Sequence, residues 1–278
     1  MKGKNFLIAS TGIYPYFDNI DYANLAYKIA KVVNSGGGQT RMFMPRFGVV
    51  NERKHQLHEV IRLSGVNLVI NDDDMPLIIK VASIPKERMQ VYFIENDEFF
   101  KRKFVFKDED EKYFKDNDGR IVFFAKGVVE TTKKLKWRPD FLLGFNWFSS
   151  LLPLYIKTYY KNEPLFQYTK IYIVLTDELL DEPLQSKLTD NLMFDEIPEK
   201  FIKQLEEPTI ENLLKLSIDL SDGVVLRSKN IPKSISSHVK KNKNLHVVDL
   251  AGIDIEEDIT ELKEKFSEAF AEKNEASK

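Results

Sequence analysis

The chain contains no cysteine in 278 residues. This excludes a disulfide framework, a thiol nucleophile and a Cys-ligated zinc. Positive charge is not in excess either: 41 Lys+Arg stand against 43 Asp+Glu, a formal net charge of -2. No net field exists to collect the phosphates of nucleic acid or the headgroups of an anionic membrane, so neither is an expected partner. No apolar run approaches the roughly 20 residues that span a bilayer. The first ten residues lack the apolar core and cleavage site of a signal peptide, and the expected location is the cytoplasm. Low-complexity segments are missing except at 272–278, which reads as a disordered tail. The remainder, 1–271, reads as one domain without a linker.

What is present alternates. Strand-length clusters rich in β-branched and aromatic residues fall at 6–9, 40–44, 68–70, 77–81, 91–94, 141–143, 171–175, 224–226 and 246–248. Amphipathic helical stretches lie between several of them, at 21–34, 119–136 and 210–220, with a last one at 256–270. Such alternation predicts an α/β fold, a doubly wound and mostly parallel sheet. Between 57 and 94 strand-like runs succeed one another with turn signals at Ser64-Gly65, Asn71 to Asp74 and Pro85-Lys86, which predicts an antiparallel hairpin insertion.

Local chemistry names no reaction. Gly36-Gly37-Gly38 follows a helix and leads into a strand, the reverse of a phosphate-cradling loop, so a helix C-cap and turn is expected. Asp72-Asp73-Asp74 has the residue types of a divalent-metal site in a nucleotide-sugar transferase, but next to Pro76 it reads better as a hairpin tip. His55 and His58, three apart beside Glu52 and Glu59, lack a third ligand and read as surface histidines. His238 and His246 read as isolated on a lysine-rich stretch. No Gly-x-Ser-x-Gly elbow supports a catalytic triad. No cofactor and no metal is assigned.

The order of segments carries more. Ile8-Ala9-Ser10 runs to Pro15-Tyr16-Phe17; Met44-Pro45-Arg46-Phe47-Gly48 and Val91-Tyr92-Phe93-Ile94-Glu95-Asn96 follow. Asp116-Asn117-Asp118-Gly119-Arg120 then leads to Phe123-Phe124-Ala125-Lys126-Gly127, Trp137-Arg138-Pro139-Asp140 and Pro153-Leu154-Tyr155-Ile156-Lys157. This series resembles the N-terminal catalytic domain of the bacterial and plant glycogen/starch synthases, ADP-glucose-dependent glucosyltransferases. The resemblance implies one Rossmann-like half of a two-domain glycosyltransferase. It also exposes losses. Where the family has a Lys-Thr-Gly-Gly-Leu loop serving the donor diphosphate, this chain reads Asp18-Asn19-Ile20-Asp21-Tyr22, with Asp21 expected to cap a helix. Where the family has His-x-His-Asp-Trp-His, it reads Leu143-Gly144-Phe145-Asn146-Trp147-Phe148, with Asn146 expected to cap the next helix. The expectation is a catalytically silent binding or regulatory module of storage-polysaccharide metabolism, contacting α-glucan or a glycogen-metabolism enzyme. The alternative is a glucosyltransferase completed by a partner chain that supplies the nucleotide-binding domain. A vestigial cleft is expected to be lined by Tyr14, Tyr16, Asp116, Asn117, Asn146 and Trp147, with Phe145 and Phe148 at an apolar rim; the alternative reading is that these aromatics are plain core. The oligomeric state is not legible.

Overall fold

The computed structural model describes residues 1–18, 20–177, 182–185, 187–255 and 259–271. The expected tail at 272–278 lies outside them, as do Asn19 and the start of the last predicted helix.

Ten strands form one sheet in the order β10-β9-β8-β7-β1-β2-β6-β5-β3, with β4 paired to β5. They are β1 (Asn5–Ala9), β2 (Gln39–Pro45), β3 (His58–Glu59), β4 (Val66–Ile70), β5 (Asp73–Ile84), β6 (Met89–Glu95), β7 (Phe141–Phe145), β8 (Lys170–Leu175), β9 (Gly223–Leu226) and β10 (His246–Asp249). All neighbours from β10 to β6 pair in parallel. β1, β7 and β8 run as nearly continuous apolar segments because both faces of the parallel sheet are covered. One face packs on the helices Asp21–Ser35 and Ile259–Ala269. The other packs on Asn117–Leu135, Leu151–Lys157, Lys187–Phe194, Ile210–Asp219 and Lys233–Lys241. This is the doubly wound architecture that the alternation predicted.

The insertion also forms, and its end is corrected. β5 pairs antiparallel with β3, β4 and β6, but β6 pairs in parallel with β2. The antiparallel excursion therefore stops at β5, and β6 returns the chain to the main sheet. Asn71 and Asp72 have φ of 50° and 68° and form a two-residue turn between the paired residues Ile70 and Asp73. Positive φ at both central residues matches the right-handed twist of a tight hairpin. The acidic run is thus a hairpin tip, and the metal reading loses its basis. The glycine run ends the helix as expected: the Gly36 N–H donates to the carbonyls of Val32 and Val33, and Gly37 takes φ of 80°.

The direction of winding reverses between β1 and β7. From β1 the chain winds outward through β2 and β6, then returns to β7 on the other side of β1 and continues to β10. Open parallel sheets bind ligands beyond the carboxyl ends of their strands at such a switch point.

Candidate functional site

The switch point itself is filled. After β1, the Ser10 hydroxyl donates to the Gly12 carbonyl at 2.8 Å, and a Cβ on Gly12 would sit 3.0 Å from Phe17. After β7, the Ser149 hydroxyl reaches across to the Ala9 carbonyl at 3.0 Å and ties the two strand ends together. Phe145, Trp147 and Phe148 are buried. Trp147 packs edge-on against Phe106 at 5.0 Å, and Phe148 lies among Phe47, Phe106 and Phe124 at 5.4 to 6.1 Å. The expected apolar rim is therefore core, because the 96–116 loop folds Phe100 and Phe106 over it. Asn146 does not cap a helix: its φ is 59°, and its Oδ1 accepts the Thr176 hydroxyl, bridging the ends of β7 and β8.

The other expected cleft residues separate. Tyr14 is half-exposed and leans on Tyr27, with ring centres 5.2 Å apart. Tyr16 is buried between His55 and Phe93, each 4.9 Å away, with its hydroxyl unpartnered and its pKa pushed up to about 12 by burial. Burial lowers the pKa of His55, assisted by the charge of Lys54 and opposed by Asp18. His58 is exposed on β3. His238 Nε2 lies 2.6 Å from Asp219, and His246 Nδ1 lies 2.9 Å from the Tyr172 hydroxyl, so neither is isolated. No group of three His, Asp or Glu side chains among the described residues could hold a metal.

At the start of the Asp21–Ser35 helix the N-cap is Ile20, not Asp21. Asp21 is the first helical residue, and its carboxylate accepts two bonds from the Arg227 fork at 2.6 and 2.8 Å. Arg227 also donates to the Ile253 carbonyl at 2.7 Å, locking the end of β9 to the helix. The carboxylate already occupies the positive pole to which an anionic ligand would be drawn.

Of the six expected residues, Asp116 lines a cavity of about 400 Å³ between the Asn71 turn, the start of the Asn117–Leu135 helix, Gln185 and Lys187, and the other five stand outside it. Gly48 admits the neighbouring segment: a Cβ there would lie 2.2 Å from the Arg102 carbonyl, so only glycine lets the 100–102 segment settle. Arg102 then grips both carboxylate oxygens of Asp116, with Nη1 to Oδ1 at 2.7 Å, and its guanidinium covers the Phe114 ring at 4.6 Å. Asp116 holds the N-cap position without capping, since its side chain is taken by Arg102. Asn117 faces inward, donating to the Phe106 carbonyl at 3.0 Å and accepting from Arg120 Nη1 at 2.6 Å.

Two residues that sequence reasoning quoted but did not select matter most here. Arg120 is fully buried, its guanidinium about equally distant from the rings of Phe47, Phe100 and Phe114 at 5.4 to 5.5 Å. Its Nε and Nη2 have no partner, and desolvation draws its pKa down to about 9. Asp118, 2% exposed, is among the residues lining the cavity; it accepts the Gly119 N–H on Oδ1 at 2.8 Å, while its Oδ2 is buried without a hydrogen-bond partner. Burial first, and the neighbouring Asp116 charge among lesser causes, raise its pKa to about 6. A buried carboxylate oxygen without a donor carries a desolvation cost that nothing in the fold offsets. Phe99 supplies an apolar wall, and the exposed Lys115 and Lys187 also line the cavity. Polar residues at a helix start read as a solvated terminus, so no sequence signal marked their burial.

Comparison with known proteins follows the same outline. The family described as starch synthase catalytic domain matches residues 5–248. The glycogen synthase of Chlorobium luteolum is 28% identical over 232 residues, 82% of this chain and 47% of that protein. That of Chlorobium limicola is 30% identical over 200 residues, 71% of this chain and 41% of the relative. The chain thus spans about half the length of the curated relatives it matches. The catalytic domain of Arabidopsis thaliana starch synthase IV bound to ADP and acarbose superposes with a TM-score of 0.69 at 15% identity, over 90% of this chain and 52% of that one. Among the described residues no helix is long and apolar enough to cross a membrane. With the family matched along nearly the whole sheet, this chain belongs to the starch synthase catalytic domain family.

Proposed function

We propose that this domain binds α-glucan in storage-polysaccharide metabolism without itself transferring glucose. The observation that carries the reading is the 400 Å³ cavity, where Asp118 lines the wall together with Asp73, Glu98, Lys115 and Lys187. The volume falls at the lower end of the roughly 300–1,000 Å³ of small-molecule sites. The exposed carboxylates of Asp73 and Glu98 can accept from sugar hydroxyls, and Lys115 and Lys187 can donate to ring and hydroxyl oxygens. Silence in transfer is supported by what the strand ends offer. Leu143, Phe145 and Phe148 stand in the core where the resemblance places imidazoles, and the Asp21–Arg227 pair stands near the resemblance's donor-phosphate loop. Removing one positioned donor from a catalytic site lowers rate by roughly a hundred- to a thousandfold, and here several are replaced together.

Two measurements test this. The chain should migrate more slowly through a native gel containing glycogen than through a plain gel, and Asp73→Ala/Glu98→Ala should abolish the retardation. Maltooligosaccharide should bind with a dissociation constant on the order of 1 mM. Equal mobility in both gels overturns the binding reading. Incorporation of labelled glucose from ADP-glucose into glycogen above a no-protein control overturns the silence and returns the glucosyltransferase alternative.

A further inference from the structure

A second cavity, about 840 Å³, opens beside β4, away from the strand ends of the parallel sheet. One wall is residues 66–69 of the strand; the others are the turn 157–161 and the segment 194–201. Among the described residues β4 pairs with β5 alone, and the register shows which of its backbone groups point outward. The two-residue turn makes Ile70 and Asp73 a hydrogen-bonded pair, so by alternation Leu68 and Met75 also bond, while Asn67 and Val69 direct their N–H and C=O groups away from β5. Pro76 confirms the parity. It lies opposite Asn67, has no N–H to offer, and turns its carbonyl to Asn96 Nδ2 at 3.1 Å. The Val69 carbonyl is taken by Lys126 Nζ at 2.9 Å. Both groups of Asn67 and the N–H of Val69 remain on the outer edge. Soluble proteins commonly guard such an edge with Lys, Pro or a bulge, and Val66-Asn67-Leu68-Val69-Ile70 carries no charge and no proline.

The opposing walls combine apolar and cationic chemistry. Tyr159 and Phe194 are each 49% exposed. Lys157, Lys161 and Lys200 are exposed, and no described carboxylate forms an ion pair with any of them. The acids nearby are engaged: Asp195 accepts from Lys126 at 2.7 and 2.9 Å and from the Tyr155 hydroxyl at 2.6 Å, and Glu130 pairs with Lys133 at 2.9 Å. Glu196 alone adds an exposed negative charge to the lining.

We propose that this groove receives an extended acidic peptide of a partner protein, added as a strand to the free edge of β4. Asn67 and Val69 supply backbone bonds, Tyr159 and Phe194 receive apolar side chains at alternate positions, and the three lysines receive carboxylates. Three unpaired cations beside a row of strand-spaced backbone groups select a charged chain over a neutral sugar. The surface is separate from the Asp118 cavity, and the inference stands or falls independently of glucan binding there.

The test is fluorescence anisotropy of a fluorescein-labelled decapeptide of alternating valine and glutamate against the full chain at about 50 mM salt, where surface charge is weakly screened. A valine/lysine decapeptide serves as control. Saturable binding roughly tenfold or more tighter for the glutamate peptide is expected. Asn67→Pro removes an outward N–H without taking a bond from the β4–β5 ladder and should weaken binding roughly tenfold. Lys157→Glu/Lys161→Glu/Lys200→Glu should weaken it at least as much. Equal affinity for both peptides, or an unchanged affinity in Asn67→Pro, overturns the proposal. Displacement of the peptide by maltoheptaose would make the groove a sugar site and also overturns it. Should either variant melt early, the parent decides: binding must weaken several-fold between about 50 and 300 mM salt, and a flat response refutes the charge complementarity.

Discussion

Replacing Asp118 with Asn should stabilise the protein at neutral pH and leave it unchanged in acid. The Asp118 carboxyl keeps its proton in the folded state up to about pH 6, whereas an unfolded chain releases it near 3.8. Between those values the folded state binds more protons than the unfolded one, so this group's contribution to stability falls as pH rises from about 4 to about 6 and stays at its minimum above. The gap corresponds to roughly 3 kcal/mol of ionisation cost at neutral pH. The amide introduced by Asp118→Asn would keep the acceptor for the Gly119 N–H and carry no charge. Its nitrogen would inherit the unpartnered position of Oδ2, at a cost of roughly 1–2 kcal/mol. The net expectation is a gain of about 1–2 kcal/mol at pH 7.5, shrinking through pH 6 and 5 until at pH 4 the variant is equal to or slightly less stable than the parent. Urea unfolding of both proteins at pH 4, 5, 6 and 7.5 measures this, and taking the difference between them cancels the other carboxylates. A difference that is flat with pH, or one that grows toward acid, would refute the argument that burial without a partner raises this pKa.

Three further outcomes are expected. Lys126→Met strands the Asp195 carboxylate in the core beside Tyr155 and should cost about 3–5 kcal/mol in urea unfolding, with Lys126→Met/Asp195→Leu costing less than the single change; a milder single variant would contradict the burial of that pair. Gly48→Ala should destabilise by about 1–3 kcal/mol, because the new Cβ meets the Arg102 carbonyl at 2.2 Å and pushes Arg102 from Asp116; an unaltered melting curve disproves the close approach. Emission from Trp147 should resist acrylamide and ignore maltooligosaccharide, since the ring is 3% exposed and lines no part of the Asp118 cavity; quenching by either agent in a Trp137→Phe background would place it at the surface.

Much of the fold was legible in the residues alone. Nine strand-length clusters became β1, β2 and β4 to β10, because period and β-branching are local properties that survive in any tertiary context. Among the strands of the described residues only β3, two exposed residues within the histidine segment, was missed, and nothing in His58-Glu59 itself marks it; its pairing with Val81 and Lys80 on β5 creates it. The segment order likewise carried the family. It did not carry the site. Asp116 and Asn117 were selected for their letters, yet Asp118 and Arg120 close behind them hold the unsatisfied groups. For Phe145, Phe148 and Trp147 the residues left a cleft with an apolar rim and plain core both open, and all three are core. The distinction lies in what covers them. The 96–116 loop, seated against Gly48, brings Phe100, Phe106 and Phe114 over the helix start, and the Asn71 hairpin tip closes one side of the cavity. A side chain's charge and shape are written at its own position, whereas its desolvation is imposed by segments tens of residues away, so the strands could be read from the sequence and the burial that leaves an Asp118 oxygen without a donor could come only from the folded structure.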